Sequence, residues 1–185
     1  MRCAPTHRER EFKVLKMGIA RLCVMGILAA MVAAPAAMQG QSGGTVLKPE
    51  DMQKLLPSTL FYGGQTATTQ LRNSGGIRFS DGKLVLAALV DTSGYSTSVA
   101  ARYQGQLIAE VPVSIGGKRL PAGAYGIGFI AGNKFLVTDV GAHEVLSVTY
   151  ATDHTLTRPR PLEFLPQPSG GFRLYAGREY VVLTR

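Results

Sequence analysis

Cysteine is nearly missing from this 185-residue chain: Cys3 and Cys23 are the only two, and both lie in the first 23 residues. If that stretch is removed on export, the remaining chain has no disulfide and no thiol chemistry. Stability must then come from a packed core. Concentrated charge is also missing. The chain carries 20 Lys+Arg against 12 Asp+Glu, yet from Ala37 onward the balance is 14 against 10, a net charge of +4. Without a basic run or a basic helix, that mild excess argues for solubility and against nucleic-acid binding. No uninterrupted apolar run reaches the roughly 20 residues that a spanning helix needs.

What the N-terminus does contain is an ordered series of signals. Arg2, Arg8, Arg10, Lys13, Lys16 and Arg21 precede an uncharged apolar and small-residue run at 22–34. Ala34-Pro35-Ala36 follows, and then polar Gln39-Gly40-Gln41-Ser42-Gly43-Gly44. Charge, apolar run and small-x-small site come in the order of a secretory signal peptide. The expected division is a signal peptide at 1–36, a flexible lead-in at 37–46 and a single all-β domain at 47–185. Met17 is an alternative start, with Arg21 as its charged flank. Cys23 opens the apolar run instead of closing it, which argues against a lipoprotein. The expected location is extracytoplasmic, periplasmic or secreted, with the membrane touched only through an uncleaved signal. About 150 residues remain after cleavage, enough for one domain with a sizeable core.

One short helix is expected where Pro49-Glu50-Asp51 begins a segment that Pro57 stops, with Met52, Leu55 and Leu56 on one face to cap a sheet. The rest reads as strands. Asp81-Gly82 between 77–79 and 84–86 suggests a type I′ hairpin. Residues 107–115 alternate, with Leu107, Ala109, Val111, Val113 and Ile115 on one side, and Pro112 suits an edge or bulge. Gly116-Gly117 then turns the chain. In 124–130, Tyr125, Ile127 and Phe129 make a bulky face while Ala124, Gly126 and Gly128 leave the other nearly bare. Strand pairs follow at 134–140 with 145–150 and at 172–175 with 179–184. The Pro-rich stretch 158–168 reads as a stiff, partly polyproline-like connection across one end of the fold. Turns every 8–12 residues or so point to a small antiparallel β-sandwich or barrel.

The six residues Leu120-Pro121-Ala122-Gly123-Ala124-Tyr125 resemble an LPAG-x-Y element of uncharacterised exported bacterial β-domain proteins, in which the sequence turns into a strand. The resemblance implies an exported β-fold and no activity.

Candidate chemistry reduces to little. Gly126-x-Gly128-x-x-Ala131 has the dinucleotide string, but its glycines sit within a strand and no helix start follows. Ser80-x-x-Lys83 falls on a hairpin tip, without the helix and companion motifs that nucleophile needs. No Gly-x-Ser-x-Gly occurs. His143 and His154 each have acids nearby, but an extended strand between them would hold them roughly 30 Å apart. No metal or cofactor is expected. The polar stretch 61–76 reads as an irregular entry to the first long strand, in which Gln65, Gln70, Arg72 and Asn73 suit polar ligand recognition. Gly126 and Gly128 are the other candidate ligand contacts, through close backbone approach. The leading expectation is an exported non-catalytic β-domain that serves as a binding or structural module for an extracytoplasmic protein or small ligand. The alternative is a β-barrel that binds a small apolar ligand among Tyr125, Phe129 and Phe135. An enzyme ranks third. An outer-membrane barrel ranks lowest, because its strands should run about ten residues.

Overall fold

Glycine pairs with positive φ divide the chain into hairpins. The computed structural model describes residues 43–185, so the proposed signal peptide and most of the lead-in lie outside the described residues. Fourteen strands and two single-turn helices follow from there. β1 (Gly44–Leu47) already occupies the end of the stretch read as lead-in. α1 (Pro49–Met52) follows, its Asp51 carboxylate accepting the Lys48 N–H at 3.1 Å, one half of a capping box.

β2 (Thr59–Tyr62) and β3 (Gln65–Phe79) form a hairpin about Gly63-Gly64, with φ of 55° and 84° and Tyr62 opposite Gln65. This corrects the reading of 61–76 as irregular. Its polar alternation is that of a paired strand, with Ala67 and Thr69 buried and Thr66, Thr68 and Gln70 exposed. The hairpin about Asp81-Gly82 joins β3 to β4 (Leu84–Val90), but only Gly82 has positive φ. The Gly82 N–H donates to the Phe79 carbonyl and the Phe79 N–H to the Lys83 carbonyl, both at 2.9 Å. That is a type I turn closed by a glycine bulge, which needs one left-handed residue instead of two. The two successive positive φ values of a type I′ turn occur instead at Gly63-Gly64 and at Gly116-Gly117, the latter at 54° and 82° between Ile115 and Lys118.

α2 (Thr97–Ala100) is a second helical turn within the β4–β5 connection, in a region expected to hold only strands. The alternating run 107–115 is divided between β5 (Gly105–Ala109) and β6 (Val113–Ile115). All five inward residues are buried as expected, but the chain bends at Glu110 and Val111, just before Pro112, and passes from one sheet to the other. β7 (Lys118–Leu120) returns through Pro121-Ala122 to β8 (Gly123–Ile130). Here Tyr125 donates its hydroxyl to the Pro121 carbonyl at 3.1 Å. Its ring lies so close that a Cβ on Gly123 would meet the Tyr125 oxygen at 2.8 Å. The LPAG-x-Y element is thus a sheet-to-sheet corner that its own tyrosine fastens.

β9 (Lys134–Thr138), β10 (Glu144–Thr149), β11 (Ala151–Thr152), β12 (Glu163–Pro166), β13 (Phe172–Ala176) and β14 (Glu179–Thr184) complete the chain. β12 corrects the expectation of a mere connection, since four residues of the Pro-rich stretch pair with β13 at a sheet edge. Pro166 is tolerated at the end of that edge.

Eight strands form one antiparallel sheet, ordered β1-β3-β4-β5-β8-β9-β10 with β2 on β3. Six form the other, ordered β12-β13-β14-β6-β7 with β11 on β14. The two sheets do not close, so the architecture is a sandwich and the barrel alternative is set aside. The inward faces of both sheets share one core, which includes Ile77, Leu107, Ile115, Phe135, Leu174 and Leu183, each fully buried. Tyr125 and Phe135, proposed as cavity lining, are buried members of this core, and Phe129 packs against it. The outer face of the larger sheet is covered twice. Met52 and Leu56 lie on Leu86 and Ala88, and Tyr62 and Tyr103 lie over β8. Full burial of Met52 alone contributes roughly 1.5–3 kcal/mol.

Candidate binding cleft between two sheet edges

β1 and β12 are edge strands of different sheets, and a cleft of about 390 Å³ opens beside them. Val46, Leu47, Lys48 and Pro49 form one wall, with Ser74 and Gly75 of β3 behind them. Leu156, Thr157, Arg158 and Arg160, with Leu162 to Leu165, contribute the other wall. The apolar floor is Leu162 and Phe164, both buried, while Leu47 turns its side chain to the opposite face of the larger sheet, beside Gly76 and Leu86. A cleft of this size lies within the 300–1,000 Å³ or so typical of small-ligand sites.

The second wall is held by polar contacts that leave Arg158 free and Arg160 loosely paired. Asp153 takes the Tyr175 hydroxyl at 2.9 Å, the Thr155 N–H at 2.9 Å and the Thr155 hydroxyl at 2.6 Å. Arg173 approaches the same carboxylate at 3.5 Å and stacks over the Tyr180 ring at 4.5 Å. The Thr155 and Tyr175 hydroxyl donors, ahead of the Arg173 charge, pull the Asp153 carboxyl down to about 2. Arg178 donates to the carbonyls of Asp153, His154 and Leu156, and the Gly177 N–H donates to the Arg160 carbonyl at 3.0 Å. The backbone of the 153–160 stretch is therefore fixed while the Arg158 and Arg160 side chains face solvent. Arg160 lies 3.9 Å from Glu163, a loose pair. Among the described residues, neither Lys48 nor Arg158 has a carboxylate within 4 Å. Three cations against one acid give the cleft a positive rim over an apolar floor.

The residues singled out from sequence lie elsewhere. Gln70 donates to the Val90 carbonyl at 3.2 Å and accepts from Asn73 at 2.8 Å, across a bulge in β3 that also carries exposed Arg72. Gln65 stands at the other end of β3, where its carbonyl takes the Tyr95 hydroxyl at 3.2 Å. Gly126 and Gly128 lie on β8, and the chain itself covers both. A Cβ on Gly126 would collide with Tyr62, and one on Gly128 with the Arg102 carbonyl oxygen. Tyr62 and Tyr103 stack with ring centroids 3.7 Å apart, and the Tyr62 and Thr138 hydroxyls are 2.7 Å apart. Burial raises the Tyr103 phenol above its ordinary range.

Two further depressions are less suited to a ligand. One of about 150 Å³ lies beside Tyr62, Val99 and Arg102, where Arg102 pairs with Glu144 at 3.7 Å. The other, about 360 Å³, includes Arg119 and Arg185, but Arg185 is held by Asp81 at 2.6 Å. His143 sits exposed in the β9–β10 turn at 3.1 Å from Asp139, whose carboxylate also accepts the N–H groups of Gly141 and His143. No group of three His, Cys, Asp or Glu that could hold a metal occurs among the described residues.

Sequence reasoning passed over Lys48, Arg158 and Arg160. Arg158-Pro159-Arg160-Pro161 carried a signal nonetheless: two cations on a stiff, non-helical stretch in a chain with few charges. Lys48 is 110 residues away from Arg158 in the chain, and only the topology brings them to one cleft. No protein-family model, curated protein or solved structure matches this chain.

Proposed function

We propose that this protein is an exported, non-catalytic binding module and that the cleft beside β1 and β12 is its binding site. The observation that carries the reading is the pairing of the buried apolar floor of Leu162 and Phe164 with the cations Lys48 and Arg158, which have no carboxylate within 4 Å among the described residues. Buried apolar surface supplies affinity, while rim charges select the partner and speed its approach. The non-catalytic part of the reading rests on the sequence, in which no nucleophile motif meets its geometric requirements. The secretory reading of 1–36 and the LPAG-x-Y resemblance support an extracytoplasmic setting.

A crystallographic screen with small carboxylates, amides and aromatic fragments tests the site. Occupancy is expected in the cleft, with a preference for fragments that join an apolar group to an anion. Fragments found only elsewhere, or displacing Tyr62 over Gly126, would overturn the assignment.

A further inference from the structure

We propose that the cleft takes an extended acidic segment of a partner protein, added as a new strand along the free edge of β1. This rests on the cleft being the binding site and names what fills it. The Ser80 N–H donates to the Gly43 carbonyl at 3.0 Å, and the β1–β3 register then sets the alternation. Gly43, Thr45 and Leu47 turn their backbone groups toward β3, so Gly44 and Val46 turn theirs away. No strand pairs with β1 on that side among the described residues. An unpaired edge offers a ready ladder of donors and acceptors to an incoming strand. Of these two residues, Val46 lines the cleft.

The facing edge does not compete. The Gln167 N–H donates to the Gly171 carbonyl, which places Phe164 and Pro166 on the outward phase of β12. Pro166 has no N–H, and Phe164 packs toward Gly75, where a Cβ would meet its ring at 3.5 Å and its nitrogen at 3.7 Å. The incoming strand therefore takes its hydrogen bonds from β1 and its apolar contacts from half-buried Val46 and Leu156.

Charge selects the occupant. Lys48, Arg158 and Arg160 outnumber Glu163, so the segment carries carboxylates alternating with apolar residues, in the two-residue period of a strand. This chain's own lead-in is a poor candidate, since residues 37–46 contain no acid. A second copy is no better, because no two acids among the described residues stand two apart, as alternation in a strand requires.

The test is fluorescence anisotropy of the purified protein with a labelled hexapeptide of alternating Glu and Val. A Lys/Val peptide and a version N-methylated at alternate residues serve as controls. Saturable binding of the Glu/Val peptide is expected, weakened about ten-fold by Arg158→Glu with Arg160→Glu and by N-methylation, and weakened by salt. Lys48→Glu is the second variant, and exposed Arg158 is expected to leave the melting temperature unchanged. Equal binding of the Lys/Val peptide, or indifference to N-methylation in every register, would overturn the proposal. So would self-association of the purified protein that the Glu/Val peptide dissolves, seen by analytical ultracentrifugation, which would name a second copy as the occupant. Fragments in the cleft without peptide binding would sink the strand proposal and leave the binding site standing. An empty cleft in both experiments would end both.

Discussion

Gly126 and Gly75 both leave one side of a strand bare, and the protein treats them in opposite ways. At Gly126 the chain returns and fills the space: a Cβ would strike Tyr62 and come within 2.7 Å of the Thr138 oxygen and 3.0 Å of the Tyr103 ring. At Gly75 the nearest atom to such a Cβ is a Phe164 ring carbon at 3.5 Å, ordinary contact, and an open cleft lies beside it. A bare face in sequence therefore marks close approach without saying what approaches. At Gly126 it is this chain's own tyrosine. At Gly75 the approach is partial and leaves room for a partner.

The largest effect is expected at Gly128, where a Cβ would fall on the Arg102 carbonyl oxygen, a backbone atom that cannot turn aside. Gly128→Val should cost at least the roughly 1–3 kcal/mol of an overpacked core. The readout is the denaturant midpoint. A near-native midpoint would mean that the 95–103 cover is loose and the face open. Next comes Tyr62→Phe, which removes the hydroxyl that meets Thr138 in a buried setting. A loss of about 1 kcal/mol is expected, since one buried partner is left short. Tyr125→Phe should cost a similar or smaller amount, about 0.5–1.5 kcal/mol, by freeing the Pro121 carbonyl at the sheet-to-sheet corner.

These variants also mark what was legible in the sequence. The buried parity of 107–115 and the bulky face of Tyr125, Ile127 and Phe129 could be read because period-two patterning survives a change of sheet. The β2–β3 hairpin could not. Its residues are mostly Thr, Gln and Gly, and Thr69, paired with Val90, is buried without being apolar. The glycines at 126 and 128 announced a close approach, but Tyr62, 64 residues upstream of Gly126, was not signposted as its partner. The cleft was the least visible part, because it joins the end of β1 to a proline-rich wall more than 100 residues later.

That wall can be loosened with acid. Asp153 is held at about 2, below its ordinary 3.8, so its contribution is complete above about pH 4 and lost as the pH falls through about 2. Melting temperatures measured from pH 5 to 2 should fall for the wild type. Asp153→Asn should start lower and fall less, while the Tyr62 region stays intact by near-ultraviolet circular dichroism. Parallel slopes for the two proteins would remove Asp153 as the fastening of the cleft wall.

The most direct test of the contrast is one pair of denaturation curves, for Gly126→Ala and Gly75→Ala. Both add a single methyl group to a strand, and alanine is intrinsically the better strand residue by roughly 0.5–1 kcal/mol. With Gly126 filled by Tyr62 and Gly75 bordering an open cleft, Gly126→Ala should lose stability clearly and Gly75→Ala should match or exceed the wild type. Equal losses at the two positions, or a loss at Gly75 alone, would contradict the account.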